Sequence, residues 1–176
     1  MRVPGLILLF SVLIMQNAAS EPVDIKWISE IRCEEVRPYS DGLSAFRIEG
    51  KWGYMDASGQ VAITPEYDEC YDFIDGRAIV RKGARWGIID KTGKSSTGFV
   101  YSKMHNFSNG LAYAEENTLR FYVYPDGKRQ KLSEKFEYGD YNEGYAPVMK
   151  KKNKKWGYIN KKGIVTIEPG FDSVYN

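Results

Sequence analysis

The sequence is poor in the residues on which most catalytic and metal sites depend. Its 176 residues include one histidine, His105, and two cysteines, Cys33 and Cys70. A metal motif such as H-E-x-x-H is therefore excluded, and we find no glycine-rich phosphate loop and no Ser/His or Cys/His arrangement. A loop histidine is the preferred interpretation of His105, over a general base. We expect a protein that is not an enzyme and that holds no metal or cofactor.

An excess of charge of one sign is also lacking. The formal net charge is +2, and it becomes +1 without residues 1–20, which hold one basic residue, Arg2, and no acid. Nucleic-acid-binding domains normally carry a strong positive field, so we expect no nucleic-acid partner. Hydrophobic residues make up 43% of the chain, which is too much for an intrinsically disordered protein.

The chain has no apolar run long enough to span a bilayer. Residues 6–15 are almost wholly apolar, but a transmembrane helix needs about 20 such residues. Arg2 precedes this run, and small residues that suit a cleavage site, Ala18 to Ser20, follow it. We therefore predict a secretory signal peptide over residues 1–20, and hence a periplasmic, extracellular or cell-surface location. An uncleaved anchor is the alternative, and no transmembrane segment is expected in the mature chain.

What the sequence does contain is a repeat. Four glycines recur at intervals of 34 residues, namely Gly42, Gly76, Gly110 and Gly144. Each follows Asp, Asn or Glu, lies three residues after Tyr or Phe, and precedes a short apolar run. A fixed period of this length is typical of arrays in which each unit buries its apolar face against its neighbours.

The runs within each unit predict β-structure. Short β-branched and aromatic runs alternate with glycine-containing turns, which predicts an all-β fold of three-stranded meanders. Asp56 and Asp90 each begin a D-x-x-G turn, and this turn role is preferred over a catalytic pair of acids. We place the four units at 38–71, 72–105, 106–139 and 140–176, with an N-terminal capping half-unit at 21–37. An open, solenoid-like array is expected, and a closed barrel or propeller-like arrangement is the alternative.

A Trp-Gly step recurs in three of the units, as Trp52-Gly53, Trp86-Gly87 and Trp156-Gly157. The segment GLSAFRIEGKWGYMDASGQVAITPEYDECYDF resembles the WG-repeat (KWG-repeat) family of bacterial exported proteins. The resemblance covers residues 38–176 and implies a repeat architecture with no general catalytic activity. Two units depart from the pattern: residues 95–98 (SSTG) replace the third strand of the second unit, and Arg120-Phe121 replaces Trp-Gly in the third.

Aromatic residues of the Trp-Gly steps form the first candidate site. Side chains alternate along a strand, so each Trp shares a face with the residue two positions later. An exposed row of such rings would suit sugars or quaternary amines. The alternative is that these rings pack between units, and burial distinguishes the two. The candidate residues are Trp52, Tyr54, Trp86, Trp156 and Tyr158.

A cluster of lysines in the last unit forms the second candidate site. We expect its two turns to lie together at one end of a sheet and to present a patch to anionic lipid, glycan phosphate or an acidic protein. The alternative is a solvated hairpin tip that keeps the unit soluble. The cluster consists of Lys150, Lys151, Lys152, Lys154, Lys155, Lys161 and Lys162.

The two cysteines are a candidate disulfide, because an exported protein meets an oxidising environment. Cys33 lies three positions out of phase with Cys70 in the repeat, so a bridge requires the first segment to leave the register, and both states stay open. The sequence thus predicts an exported, non-enzymatic repeat module of the bacterial cell envelope that binds an unknown protein or an envelope glycan over a repeated β surface. A structural spacer without a ligand is the alternative, and the oligomeric state is left open.

Overall fold

The computed structural model describes residues 33–174, and this part of the chain is all-β, without a helix. The predicted signal peptide and residues 21–32 of the predicted capping half-unit lie outside the described residues. Four antiparallel sheets follow one another along the chain, and none closes into a barrel. The prediction of an all-β array of tandem repeats is confirmed.

Between residues 33 and 174, fifteen strands form the four sheets. The first sheet contains β1 (Glu35–Val36), β2 (Ser44–Ile48), β3 (Lys51–Met55) and β4 (Val61–Tyr67). The second contains β5 (Glu69–Cys70), β6 (Arg77–Lys82) and β7 (Arg85–Asp90). The third contains β8 (Lys103–Met104), β9 (Ala112–Glu116), β10 (Leu119–Val123) and β11 (Arg129–Lys131). The fourth contains β12 (Phe136–Tyr138), β13 (Tyr145–Lys150), β14 (Lys155–Asn160) and β15 (Val165–Phe171).

The recurring glycine shapes the turn that opens each unit. Asp41 and Gly42 both have positive φ, 49° and 87°, and the same pair of angles recurs in the other three turns. Two successive residues with positive φ define a type I′ turn, which favours Asp-Gly and Asn-Gly pairs. The turn folds the chain back on itself, so the short strand before it pairs with the strand after it. Cys70, for example, pairs with Val80.

This pairing adds a short strand in front of each unit, which the predicted three-stranded meander lacked. Glu69 and Cys70, at the end of the first sequence unit, belong to the second sheet. The second sheet is also the one without a long third strand, as the sequence SSTG predicted. Hydroxyls replace part of the missing ladder there, since the Ile88 amide donates to Thr97 Oγ1 at 3.0 Å.

The glycine of the Trp-Gly step is required by a close approach of two strands. Trp52 pairs with Tyr67 and Tyr54 pairs with Ile63, so β4 carries extra residues opposite Gly53. A Cβ on Gly53 would lie 2.5 Å from the Ile63 carbonyl oxygen, closer than real contacts allow. The bulge and the glycine therefore belong together. The third sheet has Phe121 at this position and pairs in regular register, without the bulge.

Pairs of aromatic rings join the first sheet to the second and the third sheet to the fourth. The ring of Phe73 packs edge-on against Tyr54 at 4.7 Å between centroids, and Tyr141 packs in the same way on Tyr122 at 4.5 Å. Such aromatic pairs add about 0.5–1.5 kcal/mol to the burial of their area. Within the described residues, every large core cluster joins two consecutive sheets, and none joins the first sheet to the fourth. The array is therefore linear in its packing.

Candidate functional surfaces

The aromatic residues of the first two Trp-Gly steps are packing residues. Trp52 is 5% exposed and Tyr54 is fully buried. The Arg37 guanidinium lies 4.2 Å from the centre of the Trp52 ring, and the Tyr54 hydroxyl donates to the Tyr71 carbonyl oxygen at 2.7 Å. The half-buried Trp86 has the Tyr71 ring 5.7 Å away. These contacts leave no continuous row of exposed rings along the array.

The fourth sheet differs from the first at the same positions. Ile167 and Phe171 are 44% and 53% exposed, whereas their counterparts Ile63 and Tyr67 are 6% and 1% exposed. Two half-buried rings share this face with them. We call the set formed by Trp156, Tyr158, Ile167 and Phe171 the open face.

At the other end of the array, the corresponding packing face is closed. Phe46 is fully buried and Met55 is 6% exposed, and together with the buried Cys33 they form a core cluster. Tyr39 is the exception, with 49% of its surface exposed, while its counterpart in the second unit, Phe73, is buried. The array is therefore asymmetric, with one covered end and one apolar end that is accessible.

The lysine cluster does not form a single patch, and this part of our prediction is wrong. Residues 150–155 surround the hairpin between β13 and β14, whereas Lys161 and Lys162 follow Asn160, at the opposite end of β14. Consecutive turns of a meander lie at opposite ends of the strands, because one full strand separates them. Lys155 also forms an ion pair with Asp172 at 2.5 Å. Positive charge therefore stands at both ends of the strand that carries Trp156.

Both cysteines are free, buried thiols in the structure. Cys33 packs with Phe46 and Met55, whereas Cys70 belongs to the cluster between the first and second sheets. Burial raises the pKa of the Cys70 thiol to about 11 and also raises the pKa of Cys33. The candidate disulfide is therefore not formed in this structure, and both thiols are in the unreactive protonated form at neutral pH.

The titratable residues considered for catalysis have structural partners. His105 Nδ1 lies 2.8 Å from Asp140 Oδ1 and so links the third sheet to the fourth. Asp56 Oδ1 accepts hydrogen bonds from the Ser58 hydroxyl and amide and from the Gln60 amide, at 2.6, 2.9 and 3.0 Å. These bonds lower the pKa of Asp56, and Asp90 has the same arrangement. Among residues 33–174, no three His, Cys, Asp or Glu side chains are grouped to hold a metal ion.

A pocket that sequence reasoning missed lies between the second and third sheets. Its volume is about 250 Å³, and it is lined by Ser96, Thr97, Val100, Tyr101, Glu116, Gly127 and Arg129. Arg129 forms an ion pair with Glu116, and its guanidinium lies 4.6 Å from the centre of the Phe121 ring. A comparison of the units by position could have found it, because Arg129 stands where Val61 and Val165 stand in the first and fourth units.

The similarity of this chain to a solved structure is weak. Within the described part of the chain, no helix is both long and apolar enough to cross a membrane. No curated protein matches the chain. It is similar to a protein of unknown function from Bacteroides caccae, whose crystal structure was determined at 1.35 Å resolution, with 14% identity over 77% of this chain. The match spans 59% of that protein, and its TM-score of 0.34 is too low to carry an argument.

The sequence family is clear. The model of the WG containing repeat matches residues 26–52, 52–86, 86–117 and 156–176, well over half of the chain. The unmatched segment between 117 and 156 includes Arg120 and Phe121, the two residues that replace Trp-Gly. The bulge opposite Gly53 explains the glycine of the Trp-Gly step, and the contacts between sheets explain its tryptophan. On the family match, the chain belongs to the family of WG containing repeat proteins.

Proposed function

We propose that this chain is an exported, non-enzymatic binding module of the bacterial cell envelope, and that another protein docks on its open face. One observation carries the proposal: a surface that is buried between the first and second sheets is accessible on the fourth. Phe171 is 53% exposed, whereas Tyr67 at the same position is 1% exposed. Accessible apolar clusters of this kind mark interaction sites.

The array itself indicates what kind of surface fits the open face. In the first sheet the equivalent residues are covered by Phe73, Ala78, Val80 and Ile89 of the second sheet. The partner is therefore expected to present a β-sheet face in which a bulky aromatic ring stands beside small and β-branched residues. Lysines at both ends of β14 favour a partner with acidic residues around that apolar centre.

A second copy of this chain fits less well. Head-to-tail stacking would need the packing face of the first sheet, and Phe46 in that face is fully buried. Two open faces packed against each other would place the exposed lysines of both copies at one interface, where like charges repel. An envelope glycan stacked on Trp156, or a spacer without any ligand, would leave the apolar residues of β15 without a binding role.

The remaining parts of the proposal are supported by the sequence and by the partners of the titratable groups. The charged start, apolar run and small residues of segment 1–20 support export. The engagement of Asp56 in its own turn and of His105 with Asp140 supports a role outside catalysis. The resemblance to the WG-repeat family likewise implies no general catalytic activity.

Site-specific photocrosslinking in bacterial cells tests the proposal. We expect a benzophenone amino acid at position 167 to give a discrete adduct with another protein, since Ile167 lies in the open face. The matched control is position 39, which is equally exposed but at the closed end. Charge reversal of Lys151, Lys152 and Lys154 should reduce the adduct and release the protein from the envelope fraction.

Three results would contradict the proposal. An adduct of twice the chain mass would identify a second copy as the partner. Protection of Trp156 fluorescence from acrylamide by soluble envelope glycan, without a protein adduct, would identify a glycan ligand. Crosslinking at position 39 equal to that at position 167, or none at either, would remove the docking face and favour a spacer.

A further inference from the structure

The pocket between the second and third sheets lies where the two departures from the repeat pattern meet. On one side, residues 95–98 run as a loop in place of the third strand of the second sheet. On the other side, Phe121 replaces the glycine of the Trp-Gly step, and the short strand β11 pairs without a bulge. The missing strand leaves space, and the altered unit supplies side chains that face it.

Those side chains include a charge pair that no other unit has at the same positions. Arg129 corresponds to Val61, Ser95 and Val165, and the residue equivalent to Glu116 is Ile48 in the first unit. Cross-strand pairing places Arg129, Phe121 and Glu116 on one face of the third sheet, toward the second. The guanidinium lies over the Phe121 ring at 4.6 Å and forms its ion pair across it.

Beside the charge pair, the lining carries three hydroxyl groups, of Ser96, Thr97 and Tyr101, together with the apolar side chain of Val100. Among residues 33–174, the Ser96 hydroxyl has long hydrogen bonds, at 3.4 Å to the carbonyl oxygens of Ile88 and Pro125, and its lone pairs can accept from a ligand. Tyr101 is 2% exposed and lines the pocket together with Arg129. The pocket thus offers guanidinium donors, carboxylate acceptors and hydroxyls that do both, and its charges cancel.

We propose that this pocket binds one unit of a neutral, hydroxyl-rich ligand, that is, a monosaccharide residue. Sugar hydroxyls both donate and accept, and a neighbouring guanidinium and carboxylate satisfy both functions at once. A cavity of about 250 Å³ is smaller than sites for drug-sized ligands and suits a single ring. The ion pair leaves no net charge for an ionic ligand, which selects against acidic and basic sugars. The site is separate from the open face and does not depend on protein docking there.

Ligand-observed NMR on the full mature protein tests this proposal. Glucose and N-acetylglucosamine are the neutral probes, and glucuronate and glucosamine are the charged ones. We expect saturation transfer to the neutral sugars, and a loss of affinity of tenfold or more in Arg129→Gln and in Glu116→Gln, because hydrogen bonds to charged groups are worth about 1.5–3 kcal/mol. The control is Arg81→Gln, which removes a similar exposed ion pair, with Glu69 at 2.6 Å, from the second sheet.

A second variant separates a binding effect from a folding effect. Ser96 is exposed at the mouth of the pocket, so Ser96→Phe should fill the space while leaving the residues of the ion pair and of the core unchanged. We expect this variant to keep the circular dichroism spectrum and melting temperature of the parent and to lose sugar binding. The proposal is overturned if neither neutral sugar binds, if the charged sugars bind more tightly, or if binding persists in Arg129→Gln or Ser96→Phe.

Discussion

The glycine of the Trp-Gly step should be a position at which the array does not tolerate even a methyl group. A Cβ on Gly53 would lie 2.5 Å from the Ile63 carbonyl oxygen, 2.7 Å from the Pro65 nitrogen and 2.9 Å from Pro65 Cδ. Two of these are backbone atoms of the bulge in β4 and the third is part of a proline ring. They cannot move aside as the end of a flexible side chain would, so Gly53→Ala must displace the bulge.

Two opposing effects set the stability that Gly53→Ala loses. Alanine is favoured over glycine in a strand by about 0.5–1 kcal/mol, because glycine loses more backbone entropy on folding. Overpacking a close-packed site costs about 1–3 kcal/mol, and contacts with rigid backbone belong at the upper end of that range. We therefore expect Gly53→Ala to lower the free energy of unfolding by about 1–2 kcal/mol. For a domain of this size, that corresponds to a fall in melting temperature of about 2–8 °C.

A second glycine serves as the matched control. Gly170 also lies in a bulged third strand and has no positive φ, but a Cβ there would meet only the Glu168 carbonyl oxygen, at 3.8 Å. Gly170→Ala should therefore leave stability unchanged or raise it by up to about 1 kcal/mol. Urea and thermal unfolding followed by circular dichroism measure both variants. Equal stability of Gly53→Ala and the parent, or equal losses for the two substitutions, would refute the steric role of Gly53.

Three further predictions follow from burial and hydrogen bonding. Tyr67→Ala should cost about 3–5 kcal/mol in urea unfolding, and Phe171→Ala less than about 1 kcal/mol; equal losses would mean that the open face is covered. The lowered pKa of Asp56 adds stability that is present above its unfolded pKa of about 3.9 and is lost as the pH falls through the folded pKa. The melting temperature of Asp56→Asn should therefore depend less on pH than that of the parent between about pH 5 and pH 3. An unchanged pH profile would contradict this. Because burial raises the pKa values of Cys33 and Cys70, both thiols should react with a disulfide reagent only after unfolding; finding no thiol then would show a bridge.

The local sequence predicted the turns of the units well, because the backbone conformation of a turn requires particular residues. The Asp41-Gly42 pair has the two positive φ angles of a type I′ turn, and the turn begun by Asp56 has the side-chain bonds that its sequence implied. The short strand Glu69–Cys70 could not be assigned to its sheet in this way, because two residues show no periodicity. Its place in the second sheet is set by the turn that follows it.

The exposure of the aromatic residues in a unit could not be predicted from the sequence of that unit. Trp52-Gly53-Tyr54 and Trp156-Gly157-Tyr158 are the same tripeptide, yet the first Trp is buried and the second is half-exposed. The difference comes from the second sheet, whose Phe73 packs against Tyr54 and lies in the same core cluster as Trp52. Sequence therefore identified the aromatic residues correctly as a recurring set, and only the structure separates packing residues from accessible ones.

The charged residues of the fourth unit flank its accessible apolar face. A repeat whose packing face is uncovered usually carries polar residues on that face. Here Ile167 and Phe171 remain in the face, and the lysines lie instead in the turns at the two ends of β14. The positive charges at the two ends of β14 oppose aggregation through electrostatic repulsion, while the apolar side chains between them stay accessible. If another protein docks on the open face as we propose, replacing Ile167 and Phe171 by lysine should abolish the photocrosslinked adduct while leaving the fold intact, since both side chains are already exposed.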